Sequence, residues 1–385
     1  MEYSSREAQK INMKKNILMI SGDSGIAHGK HNIFFEMLKE FSKYFKNIDI
    51  ITGSNGIGKS FTIHGNVHIH PNNLSRVLRG DFFRHQEFAV KRAMEINKKH
   101  KLDFVISHVI PPFFPGTKAG IKIASKLGIP HYAEVMHIPG YPKASGGREF
   151  LEKKIMGNFL KKNWQQFDKI RIINSGETKK FILDLGVSEN KLIYIPAFYV
   201  NFEIFKARKI KRNPAQFVYS GRFETNKNIF ALLDAFKKIS AKFPDAKLKM
   251  IGDGTLLNKV KKMTKNLNVE ILGWLAKHED LAKIYCESAA LIMPSFSEGG
   301  PRVTLEAMAC ETAVLSTPVG IMKEVMNGKN SIEIGWTAEE IAEKMEIVLK
   351  NPAKMGKIGL EGSHTVQVFE YHKAIKNYAK TYLSL

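Results

Sequence analysis

Residues 294–311 read Pro-Ser-Phe-Ser-Glu-Gly-Gly-Pro-Arg-Val-Thr-Leu-Glu-Ala-Met-Ala-Cys-Glu, and this stretch decides the architecture. The apolar run 289–293 before it has strand character and ends at Pro294. A polar loop carrying Glu298 follows, then Gly299 and Gly300, whose missing side chains let a ligand approach the backbone closely. Pro301 suits the first turn of a helix, which Val303, Leu305, Ala307 and Met308 continue as a mostly apolar one. A strand, a glycine loop and a helix N-terminus make an anion site, because free N–H groups and the positive end of the helix dipole point at the loop. Glu306 falls about five residues into the helix and leans back toward the same end. One carboxylate beside an anion site and a second behind it suit a ligand with a phosphate and several hydroxyls.

At 385 residues the chain exceeds the size at which one hydrophobic core keeps growing, so two domains are expected. A hydrophobic content of 44% excludes a disordered chain. The net charge of +22 leaves two readings open, a solvated basic surface and a functional basic face, with the excess leaning slightly toward the first half. No arginine-rich run, nucleic-acid motif or regular aromatic interleaving accompanies it, so nucleic acid is not an expected partner. Cys286 and Cys310 are the only cysteines and form no CxxC pair, which leaves no zinc or redox motif and fits a reducing, cytoplasmic compartment. No apolar run has the length of a membrane span. The start at 13–20 is too short for a signal sequence, since Gly22 and Asp23 end its apolar run, and residues 1–12 read as a loose tail or an upstream start.

A strand at 17–20, a loop at 22–30, a helix at 31–44 and a strand at 48–52 open a doubly wound parallel sheet, with its ligand loop after the first strand. Residues 53–60, Gly-Ser-Asn-Gly-Ile-Gly-Lys-Ser, satisfy the P-loop pattern G-x-x-x-x-G-K-S. A working P-loop opens a helix, whereas 61–70 alternates like a strand, so a glycine-rich turn between strands is expected. A basic helix at 76–100, a strand at 103–107, a helix at 117–127 and a strand at 131–136 lead to His137, while His108 and His131 read as ordinary strand-end residues. The segment 146–167 is a basic helix with a stripe of Ile155, Met156, Phe159, Leu160 and Trp164, which reads either as a core face or as a helix lying on an anionic membrane. A linker at 201–213 separates this series from a second one, with strands at 216–220, 247–251 and 269–272. After the first of these, Arg222 offers a fork of donors and Lys227 a point charge, the pair expected for a diphosphate. A helix at 366–382 with Phe369, Tyr371, Tyr378 and Tyr382 ends the chain.

Glu298 and Glu306, with seven residues between them around Gly-Gly-Pro and followed by Ala-Met-Ala-Cys-Glu, resemble the E-x7-E signature of retaining glycosyltransferases of family 4. The resemblance extends from Met13 over nearly the whole chain and is strongest over 221–320. It implies an α/β protein of GT-B fold, two Rossmann-like domains facing across a cleft. Residues 13–200 would form the acceptor domain and 206–365 the nucleotide-sugar domain, with the C-terminal helix 366–385 returning to the first. It implies catalytic roles for His137, Arg222, Lys227 and Glu298. The implied donor site is Gly221, Arg222, Lys227, Gly252, Gly254, Glu298, Gly299, Gly300, Arg302 and Glu306, with Glu298 on sugar hydroxyls, Glu306 on the ribose and the base near Gly273-Trp274. The acceptor side would comprise Gly29, Lys30 and His137. Two departures from the family pattern stand out: its first-loop glycine pair is reduced to Gly29-Lys30, and Ala197-Phe198 replaces its usual Asn-Gly.

The implied activity is hexosyl or related transfer with retention, from a UDP-, GDP- or ADP-sugar to an acceptor hydroxyl, without a cofactor or a dedicated metal. Glycan, polysaccharide or glycolipid synthesis for the cell envelope is the implied setting. The implied partners are the nucleotide-sugar and a glycan or lipid-linked acceptor, with room for peripheral contact between the basic first domain and the inner face of the membrane. Two other readings stay open: a nucleotide-binding protein using Gly53 to Ser60, and a noncatalytic basic binding module.

Overall fold

A computed structural model describes residues 14–30, 32–53, 58–72 and 81–385. Residues 16–21, Asn-Ile-Leu-Met-Ile-Ser, are buried throughout, as a central parallel strand covered on both faces must be. This is β1 (Asn16–Ser21). It is joined by β2 (Asn47–Gly53), β3 (Phe61–Ile63), β4 (Val67–Asn72), β5 (Phe104–His108), β6 (His131–Val135), β7 (Lys169–Ile172) and β8 (Leu192–Tyr194) in the order β3-β4-β2-β1-β5-β6-β7-β8. Neighbours are parallel except β3 and β4, which form a hairpin. Helices α1 (Ile33–Phe41), α2 (Asp81–Lys99), α3 (Pro115–Leu127), α4 (Gly147–Asn163) and α5 (Glu177–Asp184) belong to this half.

The second sheet is parallel throughout and consists of β9 (Asn213–Ser220), β10 (Lys247–Ile251), β11 (Val269–Gly273), β12 (Ser288–Met293), β13 (Ala313–Ser316) and β14 (Ile332–Glu333), in the order β11-β10-β9-β12-β13-β14. Its helices are α6 (Ile229–Lys242), α7 (Leu257–Met263), α8 (His278–Glu287), α9 (Arg302–Ala309), α10 (Met322–Val325), α11 (Ala338–Lys350) and α12 (Pro352–Thr365). In each sheet the chain grows outward from one strand and then crosses to its other side. That switch falls between β1 and β5 in the first sheet and between β9 and β12 in the second. Crevices for ligands form at the carboxyl ends of strands at such points.

The segment 366–382 reads as one helix but breaks in the structure at Glu370. Val366–Phe369 is a 3-10 turn, Glu370 is extended, and its carboxylate accepts from the backbone N–H groups of His372 and Lys373 to cap α13 (Tyr371–Ser384). At the break, Val200 donates its N–H to Phe369 at 2.8 Å and accepts from Tyr371 at 3.0 Å. The two passages of the chain between the domains are thus hydrogen-bonded side by side.

Helix α13 is anchored on the first sheet through Glu134 of β6, which is buried. Tyr378 and Tyr382 donate their hydroxyls to its Oε1 at 2.6 and 2.8 Å, Arg171 of β7 donates at 2.9 Å, and His108 lies 3.1 Å from Oε2. Burial alone would raise the Glu134 pKa, but Arg171, His108 and Tyr378 hold it well below the ordinary carboxylate range. Arg171 spends its other N–H groups on the carbonyls of Ile195 and Pro196 and lies over the Tyr378 ring at 3.9 Å.

The apolar stripe of α4 is a core face: Met156, Phe159 and Leu160 are buried among β6, β7 and α5 residues, with Ile155 and Trp164 packed against them. Of the large apolar side chains of α4, only Phe150 and Leu151 at its start are exposed. Cys286 and Cys310, distant in sequence, are buried neighbours, with the Cys286 thiol 3.8 Å from the Cys310 carbonyl. Among the described residues no helix is long and apolar enough to cross a membrane.

Breaking a buried ion pair from one side leaves an uncompensated charge, which costs about 3–5 kcal/mol. Glu134→Gln is therefore expected to lower unfolding stability by that order in urea titration, while Tyr382→Phe, which removes one hydrogen bond to the same oxygen, costs about 1–2 kcal/mol.

Candidate active site

The loop between β12 and α9 carries Glu298, and its backbone is clamped from three sides. Phe296 donates its N–H to Asn226 at 2.8 Å, while the Ser295 carbonyl accepts from Thr317 Oγ1 at 2.7 Å and from the Trp336 indole at 2.9 Å. Lys227, on the 3-10 turn Thr225–Lys227 after β9, reaches across and pairs with Glu298 Oε1, which also accepts from Ser295 Oγ at 3.0 Å. The pair joins the carboxyl ends of β9 and β12, the switch point of the second sheet.

Arg222 is exposed on the same loop, and Gly221 and Phe223 on either side of it donate to Ile251 and Asp253 at 2.9 and 2.8 Å. This contact explains Gly252 and Gly254. Both have positive φ, and a Cβ on either would collide with the carbonyl of Gly221 or Phe223. They hold the Arg222 loop against the β10 loop. Trp274, at the end of β11, is 63% exposed, which leaves its ring face available for stacking.

Pro301 is the N-cap residue of α9, one position before the helix, and Arg302 begins it. The close approach that Gly299 and Gly300 permit is, in the structure, that of the first domain. A Cβ on Gly299 would collide with the Met136 carbonyl, and one on Gly300 with the Phe198 ring. Asn174 donates to the Gly299 carbonyl at 3.2 Å, Gly176 donates to Glu324 at 2.7 Å, and Gly320 donates to Glu177 at 2.9 Å. The E-x7-E loop is therefore also the surface on which the two domains meet. Lys143, from the first-domain loop after His137, lies over the Phe296 and Trp336 rings at 5.3 and 4.7 Å.

His137 follows β6 and faces this assembly, with Glu298, Lys227, Glu149 and Arg222 the charges that act on it. Burial lowers its pKa against the pull of Glu298, so the imidazole is neutral at pH 7, with one N–H to donate and one nitrogen to accept. Arg302 turns toward the first domain and lies 4.6 Å over the Tyr199 ring. Its Nε and the Ser297 hydroxyl are buried without a hydrogen-bond partner.

Two cavities open on the first domain near the switch between β1 and β5. One, of about 270 Å³, is bordered by Asp23, His108, Met136, Tyr199 and Arg302. The other, of about 430 Å³, shares His108 and is walled by Gly22, Phe82, Ile110 and Phe113. Gly29 and Lys30 are exposed beyond the short turn that follows Asp23 and line neither cavity. Asp23 and His108 do; sequence reading gave Asp23 no site role and took His108 for an ordinary strand-end residue, although its position at the carboxyl end of a switch strand is the signal that could have found it. Of the P-loop pattern, Ser54, Asn55, Gly56 and Ile57 lie outside the described residues. Ser60 faces His70 Nδ1 at 3.0 Å and strand β3 follows directly, so no helix N-terminus stands after Lys59.

Glu306 is buried one turn behind Arg302, and burial pushes its pKa up to about 7, with Arg302 pulling the other way. The folded chain thus holds this proton up to about pH 7, while the unfolded chain releases it near the ordinary value of 4.5. The resulting stabilisation is full below the unfolded value and is lost as pH rises through 7, up to roughly 3 kcal/mol. The melting temperature should fall over that window in wild type, and Glu306→Gln should remove that part of the slope; an identical profile in the variant would show that Glu306 titrates normally.

Residues 200–364 match the family model described as Glycosyl transferases group 1. An uncharacterized glycosyltransferase of Methanocaldococcus jannaschii is 28% identical over 306 residues, 77% of this chain and 80% of that one. An alpha-1,4-N-acetyl-D-galactosaminyltransferase of Campylobacter jejuni, named for an undecaprenol-linked acceptor, is 24% identical over 69% of each chain. Among solved structures, sucrose-phosphate synthase from Thermosynechococcus elongatus superposes with a TM-score of 0.80 at 17% identity, over 96% of this chain and 99% of that one. Anabaena HepE, solved with UDP and glucose, superposes with a TM-score of 0.69 at 15% identity, over 96% and 100%. The second of the two opposed sheets thus lies within the stretch that matches glycosyl transferases group 1, and the chain as a whole has the GT-B fold.

Proposed function

We propose that the protein transfers a sugar, with retention of anomeric configuration, from a nucleoside-diphosphate donor held by the second domain to a hydroxyl of a glycan or lipid-linked acceptor held by the first. The observation that carries this reading is the Lys227–Glu298 pair at the β9/β12 switch point, with Arg222 beside it and His137 facing it from the other domain. A diphosphate beside Lys227 and a sugar beside Glu298 would replace one ion pair by two charge-assisted contacts. Ser297, next to Glu298, and Arg302, at the start of α9, each keep a buried polar atom without a hydrogen-bond partner.

Departure of the nucleoside diphosphate breaks the bond from the anomeric carbon to phosphate oxygen and builds negative charge on the leaving group. Arg222, Lys227 and the first N–H groups of α9 stabilise that charge more in the transition state than in the ground state, without a dedicated metal. The acceptor hydroxyl attacks from the face the phosphate leaves, forms the new bond to the anomeric carbon and passes its proton to the departing phosphate. Neutral His137 orients the sugar by donating or accepting one hydrogen bond, Glu298 holds sugar hydroxyls and Glu306 the ribose. Gly221, Gly252, Gly254, Gly299 and Gly300 serve by allowing the loops and domains that carry these groups to come together. The undecaprenol in the C. jejuni relative's name supports a lipid-linked acceptor; cell-envelope synthesis at the inner face of the membrane is the setting we propose for it. The P-loop reading lacks its helix, and a noncatalytic basic module has no need of a paired lysine and glutamate at a switch point.

Removing one preorganised charge-stabilising donor costs about 10²–10³ in turnover. Arg222→Ala is expected to lose that much with its melting temperature nearly unchanged, since Arg222 is exposed. Unchanged turnover in the folded variant would remove Arg222 from the mechanism. An inverted anomer in the product, read by NMR, would refute retention.

A further inference from the structure

Cys286 and Cys310, the only cysteines of the chain, belong to no motif, yet the fold brings them together. Cys286 lies in the last turn of α8, and Cys310 follows α9 as its C-cap residue. Both are buried, the Cys286 thiol lies 3.8 Å from the Cys310 carbonyl, and the two thiols are within hydrogen-bonding reach of each other. They are 24 positions apart, and the chain between them holds β12, the Glu298 loop and α9. The pair therefore brackets the whole candidate donor element. Cys310 is also bonded into it, since its N–H donates to the Glu306 carbonyl at 3.2 Å.

The two thiols are not equivalent. The Cys310 thiol donates to an ionised Cys286, and the Arg208 backbone and the charges of Arg208 and Arg212 favour the same form, so the Cys286 pKa falls to about 7 despite burial. That bond, burial and the Cys286 charge keep the proton on Cys310. One sulfur is thus placed as a nucleophile and the other beside it as a resolving thiol, the arrangement of an oxidation-sensitive pair. On one side Cys286 meets residues 206–212, with its thiol 3.5 Å from the Lys206 carbonyl. That stretch has no regular secondary structure, and Lys206, Ala207, Lys209 and Lys211 in it are exposed. A small oxidant needs only a local opening there to reach the sulfur.

We propose that Cys286 and Cys310 are a peroxide-sensitive pair, which a hydroperoxide converts to a disulfide that displaces α9 and weakens nucleotide binding. The bond stands apart from the transferase reading, whereas its effect on the nucleotide rests on it. The Cys286 thiolate attacks a peroxide oxygen, breaks the O–O bond and becomes a sulfenic acid as hydroxide leaves. The Cys310 sulfur then displaces the sulfenic hydroxyl, and the two thiol protons leave in water. Hydrogen peroxide is thereby reduced to two waters and the dithiol oxidised to one disulfide. A disulfide holds its sulfurs about 2 Å apart, well inside the contact distance of two thiols. Closing it draws the C-terminal end of α9 toward α8, and because α9 is a short helix of 8 residues, Arg302 and Glu306 shift with it. A misplacement of about 1 Å costs up to roughly a hundredfold where groups must be positioned.

In the test, the whole protein is reduced and then treated with a small excess of hydrogen peroxide, and peptides from a nonreducing digest are read by mass spectrometry. Binding of UDP, GDP and ADP is followed by thermal stabilisation before and after, for wild type, Cys286→Ala and Cys310→Ala. Wild type should yield one linked pair of peptides carrying Cys286 and Cys310, two hydrogens lighter than the free peptides. The nucleotide that stabilises the reduced protein should bind the oxidised form at least about tenfold more weakly, with recovery on adding dithiothreitol. Both variants should keep that affinity through the same treatment, which separates the bond from methionine oxidation. Absence of the linked peptides, undiminished affinity in the disulfide-bonded protein, or an equal loss in the variants would overturn the proposal. A linked pair in a protein that no nucleotide stabilises in its reduced form would uphold the bond and sink the donor reading instead.

Discussion

The structure depends on one buried carboxylate. Glu134 sits inside the first sheet, where an ionised group survives only if every lone pair is used, and its partners come from β5, β7 and the last helix of the chain. Satisfying it therefore ties residues 371–384, which follow the whole second domain in sequence, back onto the first. The Val200 pairing with Phe369 and Tyr371 fixes where the chain crosses. Two sheets linked in this way cannot separate, but their switch points can face one another.

The cleft between them draws on that constraint twice. The loop that carries Glu298 is pinned within its own domain by Asn226, Thr317 and Trp336, and it is pressed from the other side by Met136, Asn174 and Phe198. A group that must be placed to within a fraction of an ångström benefits from support on both sides. The same two-sided contact brings His137 under the influence of Glu298, Lys227 and Arg222, although it belongs to the opposite domain.

Much of this was legible in the sequence, and for local reasons. The stretch 294–311 places a strand, a loop and a helix in adjacent positions, and short-range signals such as Pro301 and the apolar period define each of them. The Gly252-Asp253-Gly254 turn and the alternation of 61–70 after the P-loop pattern are likewise local. What escaped was set by partners distant in sequence. Nothing near Glu134 announces that Tyr378 and Tyr382 will meet it, and nothing near Gly299 tells whether a ligand or the Met136 carbonyl comes close. Periodicity showed that α4 has an apolar stripe, but the choice between core and membrane was made by β6, β7 and α5. The break at Glu370 escaped because its capping carboxylate sits inside an otherwise helical pattern, and its cause is the pairing with Val200.

The central claim is that a nucleoside diphosphate binds at the second-sheet switch point. It is tested most directly by thermal unfolding of wild type, Arg222→Ala and Lys59→Ala with UDP, GDP and ADP, where a ligand at a hundred times its dissociation constant adds about 2.7 kcal/mol. The account predicts that one of the three nucleotides stabilises wild type and Lys59→Ala but not Arg222→Ala. Stabilisation by none of them, or its loss in Lys59→Ala alone, would contradict it.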